Sequence, residues 1–131
     1  MSPTNTLLSL LERHIAGVKK PASEATFGEA YARLGIQCPG ELASLPSTAA
    51  LGFFPEVDMA TWQVLAPDEV VHVAVPKPAD RSLGVPVVHC YDNTYIVVAP
   101  DGRAHMWDAV GEVAFESWPS LAAALQFHLE P

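Results

Sequence analysis

Between positions 89 and 108, His89, Cys90, Asp92, His105 and Asp108 are among the residues whose types could do chemistry, with His72 upstream. All are metal-ligand types. None stands at ligand spacing, for the chain has no HExxH and no pair of CxxC motifs. In a strand, the neighbours His89 and Cys90 point to opposite faces and cannot readily share an ion. His105 shares a strand face with Arg103 and Trp107, and a guanidinium beside it disfavours a second cation. The expectation is that the chain takes no metal and no other cofactor.

Nucleophiles fare no better. There is no GxSxG elbow. Cys38 precedes Pro39 in a turn-rich stretch and Cys90 sits in an apolar run, where a cysteine is usually a small, inert hydrophobe. The one adjacent acidic pair, Asp68-Glu69, follows Pro67 at an element boundary, where acids favour turns. Phosphate loops of the GxxxxGK[ST] or GxGxxG type are absent. The chain is therefore expected not to be an enzyme. A small enzyme would need a pocket gathering His89, His105 and an acid.

Charge is more informative. Of the 131 residues, 1–49 hold four acids and four bases, whereas 50–131 hold eleven acids and three bases, so the whole net charge of −8 belongs to the later part. Such a surface repels phosphate backbones and excludes direct nucleic-acid binding, while it attracts a basic protein. No apolar run approaches the ~18 residues that span a bilayer. The run Leu7–Leu11 is broken by Glu12, Arg13 and His14 and lacks the basic start and cleavage site of a secretory leader. With two cysteines and no CxxC, a reducing cytoplasm is the expected location.

The elements that must position these residues follow from periodicity. Thr6 is read as the cap of a helix carrying Leu7, Leu8, Leu11, Ile15 and Val18, ended by Gly17 and the Lys19-Lys20-Pro21 run. Ser23 is read as the start of a second helix striped by Phe27, Tyr31 and Leu34, with Gly35 as its stop. Three prolines and three glycines make residues 35–58 turn-rich, with one helical turn at Gly40–Leu45. Strands are expected at Thr61–Leu65, Glu69–Val75, Val85–Tyr91, Thr94–Ala99 and Arg103–Trp107, with a short sixth at Val113–Phe115. Thr94–Ala99 is apolar on both alternating faces, as a central strand would be. Ala99-Pro100-Asp101-Gly102 is a hairpin turn, with Pro100 presetting φ and Gly102 free to adopt the left-handed geometry. Ser117 is read as the cap of a last helix striped by Trp118, Leu121, Leu125 and Leu129. The expected fold is a single α+β domain over residues 1–131. It has N-terminal helices, a mainly antiparallel sheet of five to six strands and a C-terminal helix packed on the sheet.

Residues 23–130 resemble the SUKH superfamily, named after yeast cell-wall-synthesis regulators and widespread in bacteria. The resembling segments are LGIQCPGELASL, TWQVLAPDEV, YIVVAPDGRAHMWD and FESWPSLAAAL. Many bacterial members are immunity proteins that neutralise a toxin, often a basic nuclease, by binding it. The resemblance implies a stoichiometric protein-binding inhibitor with no shared catalytic set, or else a regulatory adaptor domain without a toxin partner. The acids expected to meet a basic toxin domain are Glu56, Asp58, Asp92, Asp101, Asp108, Glu112 and Glu116. Trp62 and Trp107 are the expected aromatic anchors.

Overall fold

The computed structural model describes residues 3–16, 26–43, 52–57, 59–65, 67, 70 and 75–130. Six strands form one sheet in sequence order, each antiparallel to its neighbours: β1 (Phe53–Val57), β2 (Ala60–Val64), β3 (Val85–Tyr91), β4 (Thr94–Val98), β5 (Ala104–Asp108) and β6 (Val113–Trp118). Helices α1 (Pro3–His14), α2 (Phe27–Arg33), α3 (Gly40–Ala43) and α4 (Leu121–Leu129) share one hydrophobic cluster with one face of that sheet. The fold is α+β, with the last helix packed on β5 and β6.

The core follows from helical spacing and strand alternation. Leu7, Leu10 and Leu11 of α1, Phe27 and Tyr31 of α2 and Leu121 and Leu125 of α4 are buried against Val64, Val88, Ile96, Val98 and Met106. β4 is central and buried at every position except the half-buried Tyr95, as its two apolar faces require. Tyr31 Oη donates to the Val98 carbonyl oxygen at 2.6 Å and pins α2 to the sheet. The expected hairpin turn is present: Gly102 has φ +95°, its N–H donates to Ala99 O at 2.9 Å, and Asp101 Oδ1 accepts from Arg103 N at 3.0 Å.

Several boundaries differ from the sequence reading. Helix α1 starts at Pro3, so Thr6 lies inside it; proline fits the first turn because its missing N–H has no partner there anyway. Thr26 caps α2, with its side chain accepting from Glu29 N. Helix α1 ends at His14, short of Ile15, and Ala16 already bridges Phe53, whereas residues 17–21 and the start read at Ser23 lie outside the described residues. Pro67 and Val70 are helical and Val75 is irregular, so the strand expected at Glu69–Val75 does not form at either described position. Glu69 and residues 71–74, His72 among them, lie outside the described residues.

β1 is a strand the turn-rich composition concealed. β6 runs on to Trp118 because Ser117 and Trp118 pair with His105 and Ala104 of β5. The last helix is therefore capped by Ser120, whose Oγ accepts from Ala123 N at 3.0 Å, and not by Ser117. Trp118 belongs to the sheet and meets α4 through Phe127, with ring centroids 5.7 Å apart.

Candidate functional site: the acidic hairpin end of the sheet

An antiparallel meander sends alternate turns to opposite ends. The β1–β2, β3–β4 and β5–β6 turns therefore share one end, and the β4–β5 turn lies at the other. The three turns are spread over five strand spacings, about 24 Å. They carry Asp92 and Glu112, with Glu56 in the irregular end of β1 beside the first turn, all exposed, together with Asp108, which closes β5. No lysine or arginine occurs in these turns.

The backbone of this end is unusual. All four non-glycine residues with positive φ among the described residues sit here: Glu56 (57°), Met59 (68°), Asp92 (47°) and Glu112 (52°). The left-handed region costs an L-residue ~1–2 kcal/mol, so such positions mark turns held by their surroundings. Ala109 N donates to Asn93 O at 2.9 Å, tying the β5–β6 turn to the β3–β4 turn. Asp108 Oδ1 accepts from Val110 N at 3.0 Å. Between the acids stand exposed apolar side chains: Met59 is fully exposed, Val110 is 74% exposed, and Tyr91 and Val113 are also exposed. Acids interleaved with solvent-facing Met, Val and Tyr form a surface that can steer a basic partner and then bury apolar area against it.

One supporting residue carried no sequence signal for its role. His89 Nε2 lies 2.8 Å from the Asp92 carbonyl oxygen. A carbonyl only accepts, so Nε2 carries the proton and donates, holding the left-handed Asp92 turn from below. The ring stacks on Tyr95 at 4.7 Å, and Tyr95 in turn contacts Trp107 at 6.2 Å, making a row across β3, β4 and β5 on the face away from the helices.

The expected site residues thus divide. Glu56, Asp92, Asp108 and Glu112 lie at the same end of the sheet, spread across its width. Glu116 sits along β6, and Asp101 lies at the opposite end, where it serves its own turn. Asp58 lies outside the described residues. Trp62 and Trp107 are buried at 0% and 1% exposure. Trp62 packs into the helix-side core against His128 at 4.8 Å, so neither indole is presented to a partner.

The chemistry-bearing groups do not assemble elsewhere among the described residues. His89 and His105 share a face but stand two strands and two residues apart, about 10 Å or more. His105 lines a shallow hollow of about 330 Å³ with Phe115, Glu116 and Ser117. Burial, and then the Arg103 charge, lower its pKa below the usual histidine value. A larger hollow of about 480 Å³ at the opposite end is lined by Gln37, Cys38, Glu41, Asp101 and Ser120. Burial pushes the Cys38 thiol up to about 11, which keeps it protonated. Glu41 Oε1 and Oε2 accept from Leu121 N at 2.8 Å and Ala122 N at 3.0 Å. That carboxylate is engaged in capping α4. No group of three or more His, Cys, Asp or Glu among the described residues could hold a metal ion, and no helix among them is long and apolar enough to cross a membrane.

Comparison with protein-family models, with curated proteins and with solved structures returns no match.

Proposed function

We propose that this chain is a protein-binding inhibitor of the immunity type, which neutralises a basic toxin domain by stoichiometric association through the hairpin end of its sheet. The observation that carries this reading is the placement of Glu56, Asp92, Asp108 and Glu112 at one end of the sheet, interspersed with exposed Met59, Tyr91 and Val110, beside turns that contain no base. Opposite charge concentrates a basic partner at this end and raises the association rate, and the apolar side chains supply the area that slows release. The resemblance to the SUKH superfamily points the same way. A regulatory adaptor that binds housekeeping proteins is the second reading, since the same acidic, apolar end would serve it.

The test is affinity capture from the source organism's lysate with the protein as bait, followed by a toxicity assay of what is captured. A single stoichiometric partner that is released by high salt, and whose toxicity this chain suppresses, is the expected result. A set of non-toxic cellular proteins would transfer the assignment to the adaptor reading. No salt-sensitive partner at all would overturn both.

A further inference from the structure

The two edges of the sheet are not equivalent. An open edge presents unpaired N–H and C=O groups and invites another strand. β1 is closed to this. Ala16 exchanges both backbone hydrogen bonds with Phe53 at 2.9 and 3.0 Å, Pro55 offers no N–H, and Glu56 turns the chain left-handed.

β6 has no outer pairing segment and no proline among the described residues, and its edge is blunted only by a bulge at Phe115 and the charge of Glu116. Among the described residues it pairs with β5 alone, at five of its six positions, contains no lysine, and exposes Val113 and Phe115 at 54% and 49%. A bulge between the Met106 and Trp107 pairings puts Phe115 outside the regular alternation. Exposed Phe127 of α4 sits beside Trp118, so apolar side chains flank the strand from Val110 to α4. Glu112 and Glu116 give the edge its charge, and Arg103, which donates to Ser117 Oγ at 3.4 Å, is the base that reaches it. β6 also begins at the acidic hairpin end, so the two surfaces are continuous.

We infer that β6 is the strand to which the partner adds an extended basic segment, lengthening the sheet by one strand. This inference rests on the reading of a basic protein partner given above. Charge selects the occupant. A second copy would bring its own Glu112 and Glu116 onto the same ladder and a further net charge of −8, whereas a segment of alternating basic and apolar residues matches the acids and covers Val113 and Phe115.

The experiment is an amide NMR titration of the full chain at low ionic strength. The probe is a blocked peptide of alternating lysine and valine, about seven residues long. The control has the same length and charge with proline at its centre. The expected result is saturable shifts and slowed amide exchange over Val113–Trp118, with the control bound at least about tenfold more weakly. Phe115→Thr, at a half-exposed position, is expected to weaken the strand peptide by roughly fivefold without unfolding the chain. Undiminished binding in that variant overturns the inference. Equal shifts from both peptides, confined to Met59, Asp92 and Val110, overturn strand addition but leave the acidic protein-binding end standing. No shift from either peptide overturns both. Exchange protection of β6 that rises with protein concentration, without peptide, assigns the edge to a second copy and overturns the inference.

Discussion

Glu41 shows what one residue contributes that its neighbours in sequence do not reveal. Its carboxylate comes from α3 and satisfies the first two N–H groups of α4, eighty residues away, while Ser120 satisfies the third. A helix start leaves such donors unpaired, and each buried orphan costs about 1–3 kcal/mol. Glu41→Ala is expected to lower stability by about 2 kcal/mol at neutral pH, measured by urea unfolding. Burial raises the Glu41 pKa against the lowering effect of its two hydrogen bonds. The native state therefore keeps this proton longer than the unfolded chain does. Between the ordinary glutamate value and the raised one, the advantage of the parent over the Ala variant shrinks as pH rises. An advantage that grew with pH would contradict the assignment. Gly84 is a second such residue. It has φ +89°, and an ideal Cβ there would lie 1.7 Å from Val98 O. Gly84→Ala must move the backbone of β4, and a loss of ~3 kcal/mol or more is expected, seen as a lowered thermal midpoint by circular dichroism.

Among the elements, the hairpins carry the proposed binding surface. The β5–β6 turn holds Glu112 at φ +52°, where glycine would be unstrained. Glu112→Gly is expected to raise stability by about 1 kcal/mol in urea unfolding while slowing association with a basic partner. A stability gain with unchanged association would remove Glu112 from the binding surface. Two strands at the sheet edges show the same trade between pairing and protection: β1 is blunted by Ala16 and Pro55, and β6, beside the acidic turns, has no outer partner among the described residues.

At the scale of the whole molecule, charge and topology act together. Asp92→Lys combined with Glu112→Lys changes the charge of the hairpin end by four units at two exposed turn positions, and it is expected to cut the association rate with a basic partner by about tenfold at low salt. Asp101→Lys, at the opposite end, is expected to have a smaller effect than Asp92→Lys alone, which changes the charge by the same two units. Stopped-flow rates at two ionic strengths make the comparison; equal effects from the two ends would mean that net charge, and not the hairpin end, steers the encounter.

Much of the fold was legible because its signals are local. The Thr94–Ala99 run, the Ala99-Pro100-Asp101-Gly102 turn and the α1 stripe each depend on residues within a few positions of one another. β1 was not legible, because Pro55 and Glu56 read as loop residues and the strand exists through β2 and Ala16. The helical state of Pro67 and Val70 was hidden in an apolar run that has no decisive period. The candidate site was half legible. Composition located the acids in the later part of the chain, but only the meander sorted Asp92, Asp108 and Glu112 to one end and Asp101 to the other. Only the packing of the helices on one face buried Trp62. By itself the sequence determined the class of fold, the central strand and the sign of the surface charge, since these depend on local pattern and on sums. Tertiary structure alone decided which acids share one end of the sheet, which tryptophans are hidden and which sheet edge has no outer partner among the described residues, since each depends on residues that are distant in the chain and neighbours across the sheet.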